Sequence, residues 1–235
     1  MRILLAGATG AIGRQLVPML VAAGHEVHGT TRSEDRAASL HATGAVSIVL
    51  DARDRVAVLA AIADVRPDAV IHELTDLAGG IRPEDVSATS RLRQVTTANL
   101  VEAMLAAGTH RLIAQSGAWL YAPGTVPHRE SDPLLDPAAN PTNRGLPGIL
   151  EVERLTLTTS GIDGTILRYG FFYGPGTMSA ERADEPSVHV AAAARATVLA
   201  LSGEARGIFN VVDDGEDVSN ERARSELGWD PNDRP

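Results

Sequence analysis

Gly7, Gly10 and Gly13 recur at three-residue spacing near the start of the chain. Without a Cβ, glycine lets the backbone turn tightly and lets N–H groups come close to a phosphate. Such a loop can capture a pyrophosphate when a strand leads into it and a helix leads out. Both flanks are present. Ile3 to Ala6 is a short apolar run, as expected of a buried parallel strand. From Ala11 to Ala23 the apolar residues Ile12, Leu16, Met19 and Leu20 follow a helical period. The pattern predicts a dinucleotide site in which Gly7, Thr9, Gly10, Ala11, Ile12 and Gly13 border the phosphates. A second chemical signal lies where the next strand ends, at Thr31-Arg32. An acidic residue there would hold a ribose diol and favour NAD. A guanidinium can instead grip a 2′-phosphate, so Thr31 and Arg32 favour NADP, with NAD left open.

Other chemistries are excluded by composition. All 21 basic residues are arginine, so no mechanism that needs a lysine ammonium is available. There is no cysteine, which removes disulfides and thiolate catalysis and suits a cytoplasmic setting. A net charge of −9 argues against nucleic-acid binding. No apolar run of membrane-spanning length occurs, and the apolar N-terminal run ends at once in Gly7-Ala8-Thr9-Gly10, as a core strand rather than a leader. The seven histidines show no helical zinc spacing and no adjoining carboxylate cluster, so no metal is expected. No Gly-x-Ser-x-Gly elbow supports a hydrolase. The expected partner is a small molecule, and a homodimer is allowed.

The elements that must position these residues alternate in type. Strands are predicted at Arg2–Ala6, Glu26–Thr31, Val46–Leu50, Ala69–Leu74, Arg111–Ser116, Gly164–Tyr169 and Gly207–Val212. Helices are predicted at Ala11–Ala23, Glu34–Ala42, Arg53–Asp64, Val86–Ala107, Ile149–Thr159 and Ala191–Leu201. Gly24, Gly44 and Gly108 lie just past helices, where a left-handed cap is wanted. Residues 121–148, rich in Pro, Gly, Asn and Asp, read as irregular. This order implies an α/β, Rossmann-like doubly wound parallel sheet. Residues 1–170 form its dinucleotide-binding part, and residues 171–235 form a small C-terminal part interleaved with it. Two short polar joins stand out, one between Gly176 and Val188 and one between Gly215 and Glu221.

Several pieces of the chain resemble the extended short-chain dehydrogenase/reductase superfamily, in its NAD-dependent epimerase/dehydratase-like branch. They are Gly7-Ala8-Thr9-Gly10-Ala11-Ile12-Gly13, Asp51-Ala52-Arg53-Asp54, Val70-Ile71-His72, Thr97-Ala98-Asn99-Leu100, Gln115-Ser116 with Tyr121, Leu167-Arg168-Tyr169 with Tyr173-Gly174-Pro175-Gly176, Val188-His189-Val190, Phe209-Asn210-Val211-Val212-Asp213 and Glu226-Leu227-Gly228-Trp229. The resemblance implies cofactor contacts at Asp51, Ala52, Leu74, Thr75, Ser116 and Tyr169. Asp51 could also cap the next helix. His72 would lie near the nicotinamide ribose, His128 beside the substrate, and His189 would be structural.

The same resemblance exposes departures. Its catalytic tyrosine and lysine fall on Gly145 and Ile149 when Glu153 is matched to the glutamate that follows them. Its catalytic Ser/Thr falls on Gly117. Without a lysine, a tyrosine stays near its ordinary pKa of about 10 and is a poor base at neutral pH. The groups left to act are Ser116, Tyr121, Arg144 and Tyr173. Tyr121 or Tyr173 could donate a proton, and Arg144 could hold an anion or polarise a carbonyl. The family also carries longer segments at both joins; here that cover is reduced, or its residues are absent from the chain. The expected activity is an NADP-dependent oxidoreductase or epimerase/dehydratase-like reaction on a small molecule with a non-standard proton donor. The alternatives are a non-catalytic NAD(P)-binding sensor or scaffold, and a non-redox isomerase, cyclase or lyase.

Overall fold

A computed structural model describes residues 1–76, 82–182 and 186–234. The strands are β1 (Arg2–Ala6), β2 (Glu26–Thr31), β3 (Val46–Val49), β4 (Ala69–His72), β5 (Arg111–Gly117), β6 (Asp163–Tyr169), β7 (Phe171–Tyr173), β8 (Ser187–His189) and β9 (Gly207–Val211). The helices are α1 (Ala11–Ala22), α2 (Glu34–His41), α3 (Arg55–Val65), α4 (Pro83–Ala107), α5 (Leu146–Thr158), α6 (Val190–Ser202) and α7 (Glu221–Leu227). Seven parallel strands form one sheet in the order β3-β2-β1-β4-β5-β6-β9. The two remaining strands, β7 and β8, pair as a parallel ribbon outside it. The strand order reverses direction at β1 and β4, which is the switch point of a doubly wound fold.

Both sheet faces are covered, so the strands read as near-continuous apolar runs. Alternate residues go to opposite faces. Ile3, Leu5, Ile71, Ile113, Leu167 and Phe209 pack with Leu16 and Leu20 of α1 and the alanine-rich α6. Leu4, Val70 and Leu112 pack with Val58 and Ile62 of α3 and Leu100 and Met104 of α4. Small side chains let α6 lie close to the sheet, and the Trp229 indole closes that layer, its N–H donating to the Ala192 carbonyl at 2.8 Å. Because β9 pairs with β6, the C-terminal residues re-enter the same sheet as the N-terminal part.

Most predicted elements are present, with informative shifts at their ends. The predicted start of α3 at Arg53 is corrected to Arg55, because Asp54 caps it and accepts from the Val56 and Ala57 N–H groups. Asp51 therefore does not cap α3. That helix ends at Arg66 in the left-handed region, at φ 47°, with no glycine to announce it. The predicted start of α5 at Ile149 moves back to Leu146. Pro147 lies in the first turn, where a missing N–H costs nothing. The ribbon β7–β8 and the helix α7 are additions to the predicted elements. Each is shorter than the periodicities on which a sequence reading depends. No helix among the described residues is long and apolar enough to cross a membrane.

Candidate active site

The C-terminal ends of β1, β2, β4, β5 and β6 share one edge, and the residues singled out from sequence lie along it. Gly7 adopts φ +99°, and a Cβ there would sit 2.9 Å from the Glu73 carbonyl oxygen. A Cβ on Gly13 would lie 2.3 Å from the Gly7 oxygen, so α1 can approach the loop only through glycine. Gly10 differs: it is exposed, and its Cβ would meet only the Gly7 oxygen, at 3.3 Å. It caps α1 without a side chain, and the first turn holds no acidic residue, so the helix terminus stays open and positive. Ile12 buries its side chain in the core, so only its backbone could border a ligand. Arg14 braces the loop by donating to the Thr9 carbonyl at 3.1 Å. A Cβ-free cradle at an uncapped helix N-terminus fits a dinucleotide pyrophosphate.

At the end of β2, Thr31 is buried and its hydroxyl accepts from the Ser33 N–H at 3.3 Å. Arg32 is half exposed and reaches Asp76 at 3.4 Å. Asp51 is bound by the Arg53 guanidinium, which holds its carboxyl below the usual range. Asn99 of α4 donates to the Ala52 carbonyl at 2.9 Å and anchors the turn after β3. Leu74 and Thr75 follow β4 and are partly buried; the Leu74 N–H donates to His72 Nδ1 at 3.3 Å.

Beneath the ends of β4 and β6 lies a cluster whose central residue, Glu73, sequence reasoning missed. Glu73 is 4% exposed, and its Oε2 has no partner. Burial pushes its carboxyl up to about 8. Tyr169, wholly buried, places its hydroxyl 2.6 Å from Thr197 Oγ1 of α6 and 3.4 Å from Glu73 Oε1. Its side chain thus belongs to the core, and only its backbone borders the edge. His72 contacts Thr97 through Nε2 at 2.9 Å. Since Thr97 donates its own proton to the Arg93 carbonyl, His72 must donate from Nε2 and accept from Leu74 at Nδ1. Burial, with Arg93 nearby, lowers His72 to about 3, so it remains a neutral structural group. A lone acid inside the apolar run Ala69–Leu74 was the signal available for Glu73.

The candidate proton donors are placed very differently from one another. Ser116 is buried and donates to Glu153 Oε1 at 2.5 Å. Glu153 also receives a two-point hydrogen bond from Arg168, at 2.7 and 2.8 Å. Arg168 donates in turn to the Tyr121 hydroxyl at 2.9 Å, and that hydroxyl donates to Asn210 at 2.6 Å. Ser116 and Tyr121 therefore sit in one saturated buried network, and burial raises the Tyr121 pKa. The Tyr173 hydroxyl donates to Asp213 at 2.6 Å and accepts from Arg234 at 2.8 Å, with its pKa raised by burial and by Asp213. Arg144 is exposed just before α5. His128 stacks on Tyr121 and contacts Asp132 at 3.3 Å; His189 caps α6, as a structural residue would. Among the described residues, no group of three His, Cys, Asp or Glu side chains could hold a metal.

Gly117 ends β5, while Gly145 caps α5 and Ile149 lies in its first turns. Ile149 is 1% exposed and packs with Leu120 and Leu146, while the Trp119 ring lies against Gly117. Apolar packing thus stands where the family resemblance expects a hydroxyl and an ammonium.

The model of the NAD dependent epimerase/dehydratase family matches residues 3–215. A 3-diazoavenalumate denitrifying reductase from a Streptomyces species is 40% identical over 240 residues, covering 91% of this chain and 76% of that protein. Among solved structures, the Thermus thermophilus UDP-glucose 4-epimerase complexed with NAD is similar at TM-score 0.72 and 24% identity, over 98% of this chain and 85% of that one. A UDP-galactose 4-epimerase reaches TM-score 0.81 at 18% identity, over 99% and 94%.

Proposed function

We propose, for a chain that belongs to the NAD dependent epimerase/dehydratase family, that it is an NADP-dependent reductase whose acceptor carbon needs no proton. The observation that carries this reading is the loss of side-chain polarity at Gly117, Gly145 and Ile149, together with the engagement of the Ser116, Tyr121 and Tyr173 hydroxyls. Reduction of a carbonyl requires a proton on oxygen, which a free tyrosine or serine near the acceptor would supply. Ser116 is committed to Glu153, Tyr121 to Asn210 and Tyr173 to Asp213. Replacement of a diazonium group by hydride requires no such donor. The carbon–nitrogen bond breaks, N2 leaves with the bonding pair, and a carbon–hydrogen bond forms from the hydride.

The name of the Streptomyces relative, a denitrifying reductase of a diazo compound, supports this acceptor class. When bound, the nicotinamide cofactor supplies the hydride. The chain's own residues bind and orient. The loop from Gly7 to Gly13 and the open terminus of α1 hold the pyrophosphate, and Arg32 holds the 2′-phosphate by charge-assisted hydrogen bonds. Leu146, Ile149 and Trp119 keep water from the acceptor carbon. A site built this way owes its rate to proximity rather than to acid–base work.

The test uses a reduced cofactor deuterated at the transferred position, with 4-carboxybenzenediazonium as acceptor. Benzoate carrying deuterium at the former diazonium carbon, released with N2 in proportion to cofactor oxidised, is the expected result. The Gly10→Asp variant is the control for spontaneous reduction. Deuterium-free benzoate, or faster turnover of ketones than of the diazonium salt, would overturn the reading.

A further inference from the structure

We infer that Trp119 and Phe171 form a stacking platform that selects planar aromatic acceptors, which deepens the reductase reading above. The two rings lie parallel, with centroids 4.7 Å apart and planes 13° from each other. They come from the ends of adjacent parallel strands, Trp119 just after β5 and Phe171 just after β6. Ligands of open α/β sheets bind at this edge. Phe171 is 47% exposed, and Trp119 is only partly buried. The exposed part of the Phe171 ring and the partly exposed Trp119 ring lie together at that edge.

The second observation concerns Gly117. A Cβ there would lie 2.6 to 2.8 Å from three atoms of the Trp119 six-membered ring. The indole occupies the volume in which a side chain at position 117 would project. Glycine at 117 is thus the condition for the platform. The site exchanges a hydroxyl aimed at the substrate for an aromatic face, and the same swap places Trp119 with Leu146 and Ile149 of α5. A flat ring stacks on such a face with offset geometry, whereas a saturated ring presents hydrogens and loses the quadrupole match. The occupant that fits is therefore a small arene.

The experiment titrates the full chain with 4-hydroxybenzoate and with 4-hydroxycyclohexanecarboxylate by calorimetry, with and without the oxidised cofactor. The arene should bind about tenfold more tightly than the saturated ring. Trp119→Leu keeps an apolar filler but no ring, and should bring the two affinities within about twofold at unchanged cofactor affinity. Trp119→Phe should retain most of the preference. Fluorescence gives an independent readout, since the second tryptophan, Trp229, is 2% exposed and bonded to Ala192. Quenching by the arene should vanish in Trp119→Leu. Equal affinity for both rings, no measurable binding of either, or an unchanged preference in Trp119→Leu would overturn the platform. So would a dimer in sedimentation that Phe171→Ser abolishes, because the rings would then be a contact between copies. Failure of diazonium reduction leaves these arene affinities intact, so the two readings fail separately.

Discussion

Substituting Glu73 by glutamine should flatten the pH dependence of stability on the alkaline side. In the folded chain the Glu73 carboxyl titrates near 8, against 4.5 in its unperturbed form. From pH 4.5 to 8 the unfolded chain has released this proton while the folded chain keeps it, so folding binds a proton and stability falls as pH rises. His72 acts in the opposite sense. It is lowered from 6.5 to about 3, so below pH 6.5 the unfolded chain takes up a proton that the folded chain refuses, and stability falls as pH falls. Between pH 4.5 and 6.5 the His72 slope opposes that of Glu73, and His25 and His189, lowered by burial, act in the His72 sense. Above 6.5 only Glu73 contributes. The other groups facing it, Tyr169 and Arg93, do not titrate in this interval; burial pushes the Tyr169 pKa well up, and Arg93 is lowered only to about 10. At about 1.4 kcal/mol per pH unit, roughly 2 kcal/mol should be lost between pH 6.5 and 8. Urea unfolding at several pH values across this range measures it. Glu73→Gln cannot ionise and should hold its stability constant from 6.5 to 8. A native chain that is flat or more stable at pH 8, or a glutamine variant with the native slope, would refute the assignment of a neutral buried carboxylic acid.

Further expectations concern the cofactor and the buried network. Gly10→Asp should abolish cofactor binding in a fluorescence titration yet cost little thermal stability, since its Cβ meets only the Gly7 oxygen, at 3.3 Å, and aspartate is a favourable helix N-cap. Gly13→Ala should instead lower the unfolding free energy by several kcal/mol, because its Cβ meets the Gly7 oxygen and Ala8 backbone atoms below 3 Å. Arg32→Ala should weaken NADP binding by about tenfold or more while changing NAD little; equal losses would remove Arg32 from the 2′-phosphate role. Arg168→Leu strands the buried Glu153 carboxylate and should cost about 3–5 kcal/mol in chemical denaturation. The double variant Arg168→Leu/Glu153→Leu should recover part of that loss.

The glycine loop was legible because the strand, the turn and the helix are contiguous and each follows a local rule. The same holds for the departures at Gly145 and Ile149, which need only a count of residues from Glu153, and at Gly117, counted from Tyr121. Element ends were less legible. Asp51 and Asp54 are equally good caps by type, and the turn after β3 gives the role to Asp54. Proton donors were the least legible. Ser116, Tyr121 and Tyr173 look like free hydroxyls in sequence, yet their partners Glu153, Asn210 and Asp213 lie 37, 89 and 40 residues away.

By itself, then, the sequence determined the sheet architecture, the phosphate-binding end and the absence of a lysine-assisted tyrosine. Those follow from residue type and short spacing, which the backbone reads locally. Only the tertiary structure decided what replaces the missing chemistry. Strand pairing of β5 with β6 brings Trp119 over Gly117 and beside Phe171. Packing of α5 commits Ser116 to Glu153, residues of β9 and just after it commit Tyr121 and Tyr173, and burial seals Glu73 away from water. Hydrogen-bond saturation and burial are properties of neighbours in space, and here those neighbours are dozens of residues apart along the chain.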